Sequence, residues 1–281
     1  MHKINSYIYI ETAFPGVTVG AIVTRQGIIC VDTPTHLSDA HRWREKLEQL
    51  SPRPILYVIN TDHHKDRIAS NHFFNVPVIA HEQTGERLRL YPELFKSGGT
   101  DVGSGFELAK ELAGVHIVPP QLVFSHEMTL MKGDREILIT HKPGAAPGAA
   151  WVIVPEAGVV FTGDTVVVGM HPFLADADVP LWLDSLAELR RAKFAARAIV
   201  PGRGKPVDKE GLKPLTNYLK LAQRKMDALI KNKRPRADVA ALAAELFKEF
   251  PVPDDQREAV TRRIRVELEH MYDARHGETR A

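Results

Sequence analysis

The stretch that most constrains this chain is the apolar run Pro54-Ile55-Leu56-Tyr57-Val58-Ile59 together with the polar residues after it, Asn60-Thr61-Asp62-His63-His64-Lys65-Asp66-Arg67. The run has the length and β-branched content of a buried strand. The eight residues after it therefore form a loop at a strand's end, crowded with ionisable side chains, where α/β proteins gather their chemistry.

Around that strand the pattern alternates. Tyr7 to Glu11, Val17 to Thr24 and Ile28 to Asp32 read as a β-meander broken at Phe14-Pro15-Gly16 and Arg25-Gln26-Gly27. Leu37, Ala40, Trp43, Leu47 and Leu50 fall at helical steps, so Leu37 to Leu50 is a helix that delivers the chain to the central strand. A short helix over Lys65 to Phe74, a strand over Val76 to Ala80 and a helix over His81 to Leu90 continue the alternation. Residues 91–120 include Lys96-Ser97-Gly98-Gly99-Thr100, which suits either a substrate-facing insert or an ordinary surface excursion. Residues 121–141 read as two strands joined at Lys132-Gly133-Asp134, and further strands follow at Trp151 to Val154, Gly158 to Thr162 and Ala198 to Val200, the last after a helix over Leu181 to Lys193. Two β-rich halves with helices between them imply a sheet-on-sheet sandwich covered by helices. After Lys205 three amphipathic stripes, separated at Lys233-Arg234-Pro235 and Pro251-Val252-Pro253, mark a helical tail.

Composition excludes several function classes. Lys and Arg number 37 against 35 Asp and Glu, so no overall field calls for nucleic acid or an anionic membrane. No apolar run approaches the roughly 18 to 20 residues of a membrane span, and Met1-His2-Lys3-Ile4-Asn5 opens no signal segment, so the expected location is cytoplasmic. The single cysteine, Cys30, is expected to pack as a small apolar residue.

The loop at Thr61 resembles the metallo-β-lactamase superfamily, whose members carry Thr-His-x-His-x-Asp-His at such a strand end. Laid on Thr61, that pattern puts Asp62 at the first His, keeps His64 and Asp66, and puts Arg67 at the last His. Four more frames come in order along the chain. Asp32-Thr33-Pro34 matches a structural Asp-Thr, and Pro143-Gly144-Ala145-Ala146-Pro147-Gly148 matches Pro-Gly-His-Thr-x-Gly with Ala145 at the ligand. Gly163-Asp164 matches the Gly-Asp whose carboxylate bridges two metals, and Pro201-Gly202-Arg203-Gly204 matches Pro-Gly-His-Gly with Arg203 at the ligand. The resemblance spans roughly residues 6–206 and implies an α/β fold, the αββα sandwich of that superfamily, over residues 1–206, with a helical extension over 207–281 packed on it or on a second subunit.

The resemblance also implies a dinuclear zinc hydrolase, and here the ligand set departs from it. Of the family's ligand positions only His64, Asp66 and Asp164 keep a usable donor, with Asp62 as a fourth, and these are divided between two half-sites. Alanine donates nothing and arginine is cationic at any working pH. Carboxylates about 4 Å apart repel by on the order of 4 kcal/mol at intermediate dielectric, so something cationic must sit among Asp62, Asp66 and Asp164. The expectation is that Arg67, Arg203 and His64 supply that charge, with no metal or cofactor, and that His171 lines a pocket for a polar or anionic small molecule.

Two other functions compete with it. One is hydrolysis of an ester, lactone, thioester or amide at a site holding one zinc or other divalent metal on Asp62, His64, Asp66 and Asp164. The other is an interaction protein whose tail makes a homodimer or heteromer. The plainest alternatives are that Asp66 caps a helix, that Arg67 and Arg203 face solvent, and that His63, His72, His81 and His141 are ordinary polar residues.

Overall fold

A computed structural model describes residues 1–96 and 117–278 of the chain. The first sheet contains seven strands in sequence order: β1 (His2–Lys3), β2 (Ile8–Glu11), β3 (Val19–Val23), β4 (Ile28–Val31), β5 (Ile55–Ile59), β6 (Val78–His81) and β7 (Leu122–Phe124). Strands β1 to β4 pair antiparallel, whereas β4 to β7 pair parallel. The parallel part follows from its connections, since α1 (Leu37–Leu50) and the pair α2 (Lys65–Ile68) and α3 (Asn71–Phe74) carry the chain back to start each new strand on the same side. A further helix, α4 (Glu82–Lys96), lies between β6 and β7 in the chain.

The second sheet runs β12-β11-β10-β9-β8 in space. Here β8 (Glu127–Lys132), β9 (Arg135–His141), β10 (Ala150–Val154) and β11 (Val159–Phe161) are antiparallel. Strand β12 (Ala198–Val200) returns parallel to β11 through the helix α5 (Val179–Arg190).

Strand composition explains the layering. In β4, Ile29 and Val31 point into the space between the sheets, where they meet Ile137, Ile139, Val152, Val154, Phe161 and Val200. The alternate residues Ile28 and Cys30 face the other way, against Ala40, Trp43 and Leu47 of α1. A strand covered on both faces has no polar position to show, which is why these runs are apolar without alternation. Cys30 is fully buried there, and burial pushes its thiol up to about 12. Gly20 in β3 lies where a β-carbon would come within 2.3 Å of the Phe161 ring, so the two sheets close on that glycine.

The outer face of the second sheet is covered by α5 and by α6 (Lys213–Lys231), α7 (Val239–Leu246) and α8 (Arg257–Glu278). Trp151, Val160 and Ile199 of the sheet share one buried apolar cluster with Trp182 and Leu186 of α5, Tyr218 and Leu219 of α6, Leu242 of α7 and Ile264 and Leu268 of α8. The molecule is thus an αββα sandwich whose second helical layer is thickened by the C-terminal helices.

Two local readings of the sequence differ from the structure. Residues 121–141 make three strands, because the chain leaves the first sheet after Phe124 and enters the second at Glu127. The segment from Lys65 to Phe74 is two four-residue helices, not one. Its break is tied to the strand end: Asn71 Nδ2 donates to Asn60 Oδ1 at 2.7 Å, and Asn60 Nδ2 donates to the Arg67 carbonyl at 3.2 Å. The glycine-rich residues 97–116 lie outside the described part of the chain. No described helix is long and apolar enough to cross a membrane.

Candidate functional site

The C-terminal ends of β4, β5, β11 and β12 meet at one edge of the sandwich, and each ends in one of the sequence frames. Backbone hydrogen bonds tie the two sheets together there: Ala150 N–H donates to the Thr61 carbonyl and Thr18 N–H to the Gly202 carbonyl, both at 2.8 Å. Gly202 N–H donates to the Gly163 carbonyl at 2.7 Å, so the two late frames are in backbone contact. A β-carbon on Gly202 would lie 2.4 Å from Asp164 Oδ1, which is why that frame needs glycine. In the same way Gly144, at φ +143, brings its backbone against Trp182, where a β-carbon would fall 2.5 Å from Cα.

These approaches gather Asp62, His64, Asp66, Arg67, Asp164 and Arg203 into one cluster. Arg67 is completely buried at its centre. Its Nη2 lies 2.5 Å from Asp164 Oδ1, its Nε 3.0 Å from Asp62 Oδ1, and its Nη1 3.4 Å from Asp32 Oδ2. Arg203 reaches from the opposite sheet with Nη1 2.5 Å from Asp66 Oδ2 and Nη2 2.9 Å from Asp164 Oδ2, and its Nη1 also donates to the Gly16 carbonyl at 2.6 Å. His64 completes the group, its Nδ1 2.9 Å from Asp62 Oδ1 and 3.9 Å from Asp164 Oδ2. Asp164 therefore lies between both guanidinium groups, and neither arginine faces solvent.

The charges set one another's protonation. Burial alone would raise Asp62, but Arg67 and His64 hold its carboxyl far below the usual range. Asp164 is lowered in the same way against its burial, by Arg203 and Arg67. For His64 burial would favour the neutral ring, but Asp62 and Asp164 outweigh it and raise the imidazole to about 9. Asp32 shows the reverse balance: burial outweighs Arg67 and pushes its carboxyl up to about 7. That side chain accepts from Thr61 N–H at 2.8 Å and from Thr61 Oγ1 at 2.6 Å, and so braces the loop that presents the cluster.

Two sequence-selected positions sit elsewhere. Ala145 packs into the apolar cluster with Trp151 and Trp182. His171 turns its ring away from the charges, stacked 5.7 Å from Phe247 at 13° and edge-on to Phe250 at 5.5 Å. Burial and then Arg263 lower it to about 4, so it is a neutral ring in an aromatic box.

What reaches the cluster from that segment is Phe173, two residues on. The guanidinium carbons of Arg203 and Arg263 lie 4.4 and 4.3 Å from its ring centroid, and the His64 ring is 5.9 Å away at 28°. His63 stacks on His64 at 5.0 Å, and its Nε2 is 3.2 Å from Asp176 Oδ2, whose other oxygen is 2.5 Å from Arg87. Phe173, Arg263 and Asp176 were not among the positions the sequence singled out, and Asp32 was matched only as a structural residue. An i,i+4 pair such as Arg263 and Glu267 is legible in sequence, but nothing in it points to residues 171–174.

Donors from Asp62, His64 and Asp164 lie within 4.8 Å of one another, the one group of three with metal-ligand chemistry among the described residues. Two of its members, Asp62 and Asp164, each already pair one oxygen with Arg67.

Comparison with known proteins agrees with this architecture. A family model described as the metallo-beta-lactamase superfamily matches residues 14–203. The metallo-beta-lactamase family protein TTHA1429 from Thermus thermophilus is similar over 97% of this chain and 95% of its own, with 19% identity and a TM-score of 0.68. The metallo-beta-lactamase from Pontibacter korlensis covers 78% of this chain and 97% of its own, at 20% identity and a TM-score of 0.59. The metallo-beta-lactamase IND-7 covers 78% and 96%, at 18% identity and 0.62.

Proposed function

Since this chain belongs to the metallo-β-lactamase superfamily yet holds two buried guanidinium groups among the carboxylates of its strand-end cluster, we propose that it binds a polar or anionic small molecule and is not a dinuclear zinc hydrolase. The observation that carries this reading is Arg67. With no exposed surface and four carboxylates within 3.8 Å, it occupies the ground a cation would need. A divalent ion bound to Asp62 and Asp164 at about 2.0 to 2.2 Å would share those two carboxylates with the guanidinium and be repelled by its charge. Ala145 and Arg203 offer no donor to a second ion. The residues present therefore do not fit the family's dinuclear centre.

In this reading arginine does the electrostatic work of the metals. Planar guanidinium forks satisfy several carboxylate oxygens at once and cannot lose their charge. Binding falls to the less buried edge of the cluster, formed by His64 and Asp66.

A single-metal hydrolase on Asp62, His64 and Asp164 is the second reading. It is favoured by the 4.8 Å spacing of those donors and by Asp62 Oδ2, which has no hydrogen-bond partner among the described residues. Elemental analysis of protein purified without chelator, before and after incubation with zinc or manganese, separates the two. Metal well below one equivalent in both samples is expected. One equivalent that survives gel filtration, together with turnover of a thioester, lactone or β-lactam, overturns the binding reading.

A further inference from the structure

One helix outside the family-matched residues reaches the site. From α8, Arg263 Nη1 donates to the Pro172 carbonyl at 3.2 Å and Nη2 to the His171 carbonyl at 3.1 Å. Arg263 also pairs with Glu267 at 3.2 Å, and the fully buried Glu267 accepts from Leu174 N–H at 3.2 Å. The backbone on both sides of Phe173 is thus fixed from the C-terminal helix. Pro172 and Leu174 are buried, but Phe173 between them is only half-buried.

The Phe173 ring sits among Arg203, Arg263 and His64, three groups of positive or readily positive charge, and brings no charge of its own. It meets them through the negative face of its π-system alone. Residues 168–178 form neither helix nor strand and the Phe173 side chain is partly exposed, so turning it outward would break no helix or strand pairing. Two of the acceptors that Arg263 uses are neutral carbonyls, and charge-assisted hydrogen bonds to a carboxylate are stronger than bonds to these.

We propose that the Phe173 ring occupies this protein's ligand subsite, and that the ligand is a small aromatic carboxylate whose ring takes the stack on Arg203 and Arg263 when Phe173 rotates away. The ligand keeps the cation–π contacts and adds the negative charge that phenylalanine lacks. The C-terminal helix is then part of the binding site, since Arg263 supplies one of its two guanidinium faces. This rests on the metal-free reading of the cluster, because a metal there would compete for the same carboxylate.

The test is a calorimetric titration of wild type and Phe173→Ala with benzoate and, in parallel, with cyclohexanecarboxylate, which has the same charge and similar bulk but no π-face. Removing the resident ring should tighten benzoate binding by about tenfold over wild type, with benzoate preferred to cyclohexanecarboxylate. Adding Arg263→Met to Phe173→Ala should reduce that preference, since only the Arg203 face then remains. Phe173→Leu, which keeps more of the apolar contact, replaces Phe173→Ala if the latter does not melt cooperatively. A folded variant that binds benzoate no more tightly than wild type, or binds both acids equally, overturns the proposal. Zinc is measured on the same samples: one equivalent of metal overturns the metal-free reading, whereas a metal-free sample blind to benzoate overturns the subsite alone.

Discussion

Arg67 is the residue whose removal the structure penalises most. Replacing it with methionine leaves Asp32, Asp62 and Asp164 buried without the cation they share, and breaking a buried pair in this way costs about 3–5 kcal/mol. Arg67→Met should show that loss in urea denaturation, and Arg67→Lys should recover only part of it, because a point charge cannot reach the same oxygens as a fork. An unchanged midpoint would show that the cluster is not held by its charges. The pH dependence has a definite sign as well. His64 is raised to about 9 in the folded protein, so its contribution is complete below its unfolded value of roughly 6.5 and is lost as pH rises through 9. Asp32, raised to about 7, loses its contribution as pH rises from its unfolded value of roughly 3.9 through 7. Asp62 and Asp164 are lowered, so their contribution is lost in acid. The melting temperature should therefore peak on the acid side of neutrality and decline toward pH 9, and His64→Gln should flatten the alkaline limb. A wild-type melting profile that is flat from pH 6 to 9 would refute the His64 assignment.

At the scale of elements, the cluster depends on strands more than on helices. Each frame lies just past a strand's C-terminal end, and the backbone bonds from Ala150 to Thr61 and from Thr18 to Gly202 set how far those ends stand from one another. The short helices at Lys65–Ile68 and Asn71–Phe74 show how a local pattern yields to this framework: the periodicity suits one helix, but the exchange between Asn60 and Asn71 binds the segment to the strand end and divides it. The C-terminal helices are elements of the same core. Leu268 of α8 is fully buried in the cluster that contains Trp151 and Val160 of the second sheet. Leu268→Ala should cost about 2–5 kcal/mol and shift a single cooperative melt. Calorimetry that instead resolves a separate early transition would mean that the tail unfolds by itself.

At the scale of the whole molecule, the αββα layering was legible because its causes are local and repeated. Strands covered on both faces are continuously apolar, helices that cover them carry stripes at three- and four-residue steps, and the five frames come in the order the superfamily requires. Residue identity also decided which positions lack a donor, since Ala145 and Arg203 can bind no metal whatever their geometry. Charge balance led the sequence to expect Arg67 and Arg203 among the carboxylates, but it could not fix which oxygens each would meet, because that depends on distances between segments far apart in the chain. The burial of the two arginines follows from the meeting of four strand ends that lie far apart along the chain, which brings Asp164 within reach of both Arg67 and Arg203. The same holds for His171 and Phe173. Their order in the chain is plain, but which ring faces the charges and which the aromatic box is settled by α8, whose Arg263 and Glu267 grip the backbone between them from about ninety residues away. Composition and periodicity thus determined the layers and the list of available side chains, whereas the pairing of charges was decided by long-range contacts, because Coulomb energy depends on distances that no local pattern encodes.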